Sequence, residues 1–105
     1  MNDRPLIYMT PNTRSGTVSF MDEELGGVCE FKLIDIRAGG GRAPEFLALN
    51  PMGKVPTLVH RGVVVTEAAA ICAYLADAFP KSALAPSTAD PRRGAYYRWM
   101  FFAPS

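Results

Sequence analysis

Residues suited to chemistry fall in the turn Thr10-Pro11-Asn12-Thr13-Arg14-Ser15, the stretch Asn50-Pro51-Met52-Gly53-Lys54-Val55-Pro56-Thr57-Leu58, and the segment Thr66-Glu67-Ala68. The turn offers hydroxyls and a carboxamide, groups that can stabilise an anion by donating hydrogen bonds. Pro56 stands between a valine and an apolar run. It cannot donate to a strand ladder, so it fits only an edge or a special turn. Glu67 and Ala68 stand where a helix is expected to begin, and free N–H groups at such a start form an anion site. An acid in a first turn is also favourable for the helix alone.

Other polar features reduce to structure. Cys29 and Cys72 are far apart and form no Cys-x-x-Cys pair, so neither a redox dithiol nor a zinc knuckle is supported. Both sit in apolar runs and read as small buried hydrophobes. His60 is the only histidine and has no cysteine or acid cluster near it, so no metal site is expected. Gly39-Gly40-Gly41 lacks the Lys and Ser/Thr of a phosphate loop. Arg92-Arg93 with Tyr96-Tyr97-Arg98-Trp99 interleaves charge and aromatics, but the spacing equally gives a helix with one apolar and one solvated face.

The elements that must position these residues alternate between strand and helix periods. Leu6-Ile7-Tyr8-Met9 predicts a first strand ending at the Thr10-Pro11-Asn12 turn. Val18, Met21 and Leu25 then recur at helical spacing, closed by Gly26-Gly27. Phe31 to Ile36 predicts a second, parallel strand, and Ala38-Gly39-Gly40-Gly41 a flexible connection. An irregular helix is expected within Ala43 to Leu49. Val55 to His60 and Val63 to Thr66, separated by Arg61-Gly62, predict an antiparallel hairpin. Ala68 through Phe79 reads as a helix with Thr66 as its cap, a stripe of Ile71, Leu75 and Phe79, and Pro80 as its stop. This α/β order, βαβ then ββα on a mixed four-stranded sheet with flanking helices, is that of the thioredoxin-like fold.

Residues 1–80 therefore read as one domain. Residues 81–90, within a Pro-, Ser- and Ala-rich run, read as a linker. Residues 91–105 read as the first helix of a second, all-α domain, with Asp90 as cap, Pro91 at its first position, and Ala95, Tyr96, Trp99, Met100 and Phe102 as an apolar surface. The expectation is that the rest of that domain is missing from this stretch or supplied by another chain.

At 105 residues, with 49% apolar, the chain is long enough to bury a core. A net charge of +1 provides no global field for nucleic acid or an anionic membrane. The N-terminal residues lack a leader pattern, and no segment approaches the ~20 apolar residues of a span. The expected protein is cytoplasmic, with no nucleic-acid or membrane partner.

The stretch Asn50 to Leu58, followed by Thr66-Glu67-Ala68-Ala69-Ala70-Ile71 and Tyr74-Leu75, resembles the N-terminal domain of the glutathione transferase family. Thr10 to Ser15, with Val18 and Glu23-Glu24-Leu25-Gly26, is similar to the first turn and helix of its bacterial members, and the likeness covers residues 5 to 103. It implies a cis bond before Pro56 that turns the Val55 N–H and C=O outward, to pair with the cysteinyl backbone of glutathione as in strand addition. It implies that Glu67 meets the γ-glutamyl amine, that the N–H of Ala68 meets the γ-glutamyl carboxylate, and that Lys54 can neutralise the glycyl carboxylate. Ala68 replaces the family's usual serine. One neutral hydrogen bond, worth about 1 kcal/mol, is thereby lost.

The resemblance places thiol activation in the turn after the first strand. Lowering a thiol pKa of about 8.5 by about two units takes roughly 2.7 kcal/mol. Candidates are Ser15, which can also serve as an ordinary helix N-cap, then Asn12 and Thr10. No cysteine occurs in this turn, which disfavours mixed-disulfide chemistry. The implied function is a homodimeric glutathione transferase acting on hydrophobic electrophiles in detoxification, with glutathione as co-substrate and no resident cofactor. The alternatives are a non-catalytic binding or regulatory protein of the same family and a glutathione-dependent disulfide reductase.

Overall fold

The computed structural model describes residues 3–103. Strands β1 (Leu6–Met9), β2 (Glu30–Leu33), β3 (Thr57–His60) and β4 (Val63–Thr66) form one sheet in the order β2-β1-β3-β4. β1 and β2 are parallel, and β1/β3 and β3/β4 are antiparallel. The helices are α1 (Ser15–Glu24), α2 (Pro44–Leu47), α3 (Ala68–Ala78) and α4 (Arg93–Phe102). The thioredoxin-like βαβ-ββα order expected from the sequence is present.

Strand periodicity decides which side chains reach the core. Ile7 lies opposite Leu58 across β1/β3, and both are fully buried with Val18 of α1 and Ile71 and Leu75 of α3. Burial of each such aliphatic side chain contributes about 1.5–3 kcal/mol. The alternate residue Tyr8 faces the other side of the sheet, where its ring meets Phe46 of α2 at 5.5 Å between centroids. Cys29 is buried in the core and Cys72 packs at its edge, as small hydrophobes. Among the described residues no helix is long and apolar enough to cross a membrane.

Both ends of α1 are tied by polar groups. Gly26 and Gly27 take positive φ after its last turn, and the Gly27 N–H donates to the Asp22 carbonyl at 2.9 Å. The buried Asp22 carboxylate accepts from the Val28 and Cys29 N–H groups, each at 2.8 Å, and so fixes the entry to β2.

Four local expectations are corrected. β2 ends at Leu33 rather than Ile36, because the Asp35 side chain accepts from the Ala38 N–H at 3.1 Å and starts a 3₁₀ turn over Ile36–Ala38. Gly39–Gly41 is no flexible connection. A second 3₁₀ turn covers Gly40–Arg42, and the space a Gly41 Cβ would need is 2.3 Å from the Gly53 carbonyl oxygen. Thr66 does not cap α3. It is the last residue of β4, and Glu67 holds the cap position at φ 75°, ψ 123° without a side-chain bond. Asp90 caps a turn ahead of α4: its carboxylate accepts from the Arg92 N–H at 2.8 Å and its carbonyl from the Arg93 N–H at 2.9 Å, so the helix starts at Arg93.

The connection from α3 to α4 begins with a 3₁₀ turn over Pro80–Ser82. α4 returns alongside α3 and leaves Trp99, Phe101 and Phe102 exposed.

The close approach of Gly41 and Gly53 gives a direct stability prediction. Gly41→Ala must displace backbone and should cost about 1–3 kcal/mol. Gly16→Ala, in α1 with nothing within 4 Å of the new methyl, should be neutral or stabilising by up to about 1 kcal/mol. Equal urea midpoints for the two variants would contradict the docking of residues 36–42 on residues 50–54.

Candidate functional site

Residues 50–57 are shaped by one buried polar pin. The Lys54 carbonyl accepts from the Asn50 side-chain amide at 3.0 Å and from the Thr57 hydroxyl at 2.9 Å. The Asn50 amide also donates to the Thr57 hydroxyl oxygen at 3.2 Å, and the Asn50 side-chain carbonyl accepts from the Met52 N–H at 3.1 Å. Asn50 and Thr57 are both buried, so these bonds have little water to compete with them. Gly53 closes the turn at φ 65°.

The peptide bond between Val55 and Pro56 is cis. β3 begins at Thr57 rather than at Val55 as the apolar run predicts, because Pro56 has no N–H for the ladder; Val55 lies outside it, and among the described residues its N–H and C=O have no hydrogen-bond partner. A two-sided backbone edge is left facing a cavity of about 860 Å³. Lys54, Val55, Pro56, Glu67 and Ala68 all line it, so the structure brings together every residue assigned to binding from the sequence.

The turn residues behave differently. Ser15 is fully buried at the first position of α1 and makes no cap bond to that helix. Its oxygen accepts from the Thr10 N–H at 3.3 Å and shares a hydrogen bond with the Thr13 hydroxyl at 2.9 Å. The Thr13 hydroxyl donates to the Thr10 carbonyl at 2.6 Å. These contacts close a ring in which each hydroxyl hydrogen has one acceptor. The Thr10 hydroxyl, also buried, donates to the Ile34 carbonyl. Neither Ser15 nor Thr10 lines the cavity, contrary to a hydroxyl aimed at a ligand. Asn12 is exposed at φ 61°. Its carbonyl accepts from Arg37 at 3.2 Å, while its side chain makes no hydrogen bond among the described residues.

Sequence reasoning missed two contributors. Asn50 was visible within the motif, but its role needs the turn that carries it back to Lys54. Arg14 is the residue of the 10–15 turn that lines the cavity; alignment on the cysteine-using bacterial members puts it at their cysteine, but its residue type was given no role there.

The remaining titratable groups fit structural roles. Burial, and then Asp22, push the Cys29 thiol up to about 12, and burial raises Cys72 as well, so neither supplies a thiolate near neutral pH. His60 is buried between the Tyr74 hydroxyl at 2.7 Å and the Asp3 carbonyl at 3.2 Å, a clamp that joins β3 to α3 and to the strand approach. Among the described residues no cluster of metal-ligating side chains occurs.

Sheet order, helix placement and a cis-proline edge beside a helix start define a thioredoxin-like domain of the transferase type. Residues 11–77 match the model of the glutathione S-transferase N-terminal domain, and the chain belongs to that family. It is 43% identical over 63 residues to glutathione S-transferase 1 of Dianthus caryophyllus, covering 60% of this chain and 28% of that protein. Identity to glutathione S-transferase D7 of Drosophila melanogaster is 36% over 89 residues, covering 83% of this chain and 38% of that protein. The crystal structure of a glutathione transferase homologue from Sulfitobacter with bound glutathione superposes with a TM-score of 0.83 at 30% identity. That match covers 98% of this chain and 50% of the other. The chain thus spans well under half the length of both curated relatives.

Removing the pin tests the origin of the site's shape. Asn50→Ala leaves the Lys54 carbonyl one donor short and should cost about 1–3 kcal/mol. It should also speed amide exchange at Met52, whose N–H loses its acceptor. Urea unfolding within about 0.5 kcal/mol of the parent, with unchanged exchange, would show that the loop is held otherwise.

Proposed function

We infer that this chain binds glutathione along the Val55 edge and forms the glutathione-binding half of a transferase that activates the thiol for attack on a hydrophobic electrophile. The observation carrying this reading is the unpaired Val55 N–H and C=O facing a cavity that Lys54, Glu67 and Ala68 share. A tripeptide backbone can add to that edge as a strand. Its γ-glutamyl ammonium then pairs with Glu67, its γ-glutamyl carboxylate meets the start of α3, and its glycyl carboxylate approaches Lys54. Of the three turn residues proposed from the sequence, Asn12 alone keeps a side chain without a hydrogen bond among the described residues and is the donor available to the sulfur, although it stands outside the cavity lining, while Thr10 and Ser15 hold the turn's shape. The protein is assigned to the cytoplasm, whose reducing conditions suit two free thiols, and to a homodimer in which the rest of a helical domain sets electrophile selectivity.

A second reading, glutathione binding without thiol activation, is favoured by the internal use of the Thr10 and Ser15 hydroxyls. A disulfide reductase is less supported, since no cysteine occupies the 10–15 turn.

Calorimetric titration with glutathione separates these readings when combined with turnover of an aromatic electrophile. Glu67→Gln should weaken binding about tenfold, the equivalent of a charge-assisted bond of about 1.5 kcal/mol. Asn12→Ala should bind glutathione as tightly as the parent but turn over more slowly. Ser15→Ala should show mainly as lost thermal stability. Tight binding with no turnover in the full-length parent would establish the binding-only reading, and absence of binding would refute both.

A further inference from the structure

We propose that Arg14 supplies the cation that stabilises the glutathione thiolate, its guanidinium facing the sulfur once the tripeptide lies along Val55. The inference rests on the binding reading above and adds a catalytic residue that the hydroxyl candidates do not provide.

Position comes first. Of residues 10 to 15, Arg14 is the one lining the cavity shared with Lys54, Val55, Pro56 and Glu67. Its backbone is fixed at φ −62°, ψ −11°, where its carbonyl accepts from the Thr17 N–H at 3.1 Å. The side chain is exposed, and among the described residues no hydrogen bond or ion pair engages it. Arg93, the other arginine that lines this cavity, is paired with Asp77, and Arg37 beside the turn donates to the Pro11 and Asn12 carbonyls. A rooted stem with a free fork can adapt to an anion at little cost.

Charge balance points the same way. The charged groups facing this cavity are Arg14 from the β1–α1 turn, Lys54 from the 50–56 loop, Glu67 and Asp77 from α3, and Arg93 from α4. Asp77 is already paired with Arg93. Bound glutathione would bring two carboxylates and one ammonium. Glu67 matches the ammonium, Lys54 and the start of α3 match the carboxylates, and Arg14 remains for the side branch of the cysteinyl residue. On deprotonation the S–H bond breaks, the proton passes to solvent water, and the electron pair stays on sulfur opposite a guanidinium that remains charged across the working pH range. A fixed cation near a thiol favours the thiolate. The buried hydroxyls of Thr10 and Ser15 cannot do this without breaking the ring that shapes the turn.

The test uses the full-length protein, with Arg14→Gln and Arg14→Lys compared to the parent. The readouts are the ultraviolet absorbance of bound thiolate against pH and the affinities for glutathione and for S-methylglutathione, which has no ionisable thiol. Arg14→Gln should raise the apparent thiol pKa by about one unit or more, so that thiolate at neutral pH falls about threefold or more, while Arg14→Lys recovers part of the shift. Affinity for S-methylglutathione should stay within about twofold of the parent in both variants. An unchanged thiol pKa in Arg14→Gln overturns the proposal, most plainly if both ligands lose affinity equally, because Arg14 would then hold a carboxylate. Failure of the parent to bind either ligand is the separate failure of the Val55 reading and removes this proposal with it.

Discussion

A missing donor at the entrance to β3 sets the shape of the whole binding edge. Pro56 has no N–H to give to the ladder, so the chain ahead of Thr57 cannot be held as a strand. Side chains hold it instead: Asn50 and Thr57 both donate to the Lys54 carbonyl from buried positions. Leaving those groups unpaired would cost about 1–3 kcal/mol each, so the loop has one low-energy arrangement. In that arrangement the Val55 backbone faces outward, and Gly53 turns at positive φ against Gly41. Contact between two glycine backbones then docks residues 36–42. One polar pin thus orders two loops and exposes one peptide edge.

The turn on the facing wall solves a different problem. Thr10, Thr13 and Ser15 spend their hydroxyls on one another and on nearby carbonyls, while Asp22 ties the far end of α1 to β2. The first helix is therefore held in place by side-chain bonds to backbone at both ends. Rigidity at the root frees the exposed side chains, Asn12 and Arg14, to meet a ligand from a fixed start. A preorganised donor is worth more than a mobile one, because its ordering cost is met during folding.

Much of this was legible in the sequence where a single period governs. β1 and β4 have the bounds their apolar runs predict, and α3 ends one residue before the predicted Phe79, ahead of Pro80. Legibility failed wherever one side chain outbid the period. Asp35 captured the Ala38 N–H and ended β2 early, and Asp90 drew the turn before α4 into its own cap. Three consecutive glycines suggested freedom, yet Gly41 is where the chain has least room, because its neighbour Gly53 is remote in sequence. That Val55, Pro56 and Glu67 share one cavity was readable because the motif is local. The position of Arg14 was legible by alignment with the cysteine-using members, but a role for an arginine there was not, since that depends on which neighbouring groups are already satisfied in three dimensions.

The two sides of the cavity are also held by forces of different stiffness. On the peptide side, buried hydrogen bonds to main-chain atoms fix the wall. On the α4 side the link is Arg93, whose fork lies 3.3 and 3.4 Å from the carboxylate oxygens of a half-exposed Asp77. Those distances exceed the 2.7–2.9 Å of strong charge-assisted bonds, so the pair stabilises the helix junction only weakly. Arg93 also stacks on Tyr96 and Tyr97 at 4.7 and 4.8 Å and donates to the Pro86 carbonyl, while its Nε is buried with no partner among the described residues. Stacking and one linker carbonyl tolerate small rotations that a buried amide pin does not. The peptide wall is accordingly the rigid one and the α4 wall the adjustable one. Changes on α4 can therefore move that wall without passing through the Asn50 pin, and the Val55 edge keeps its shape.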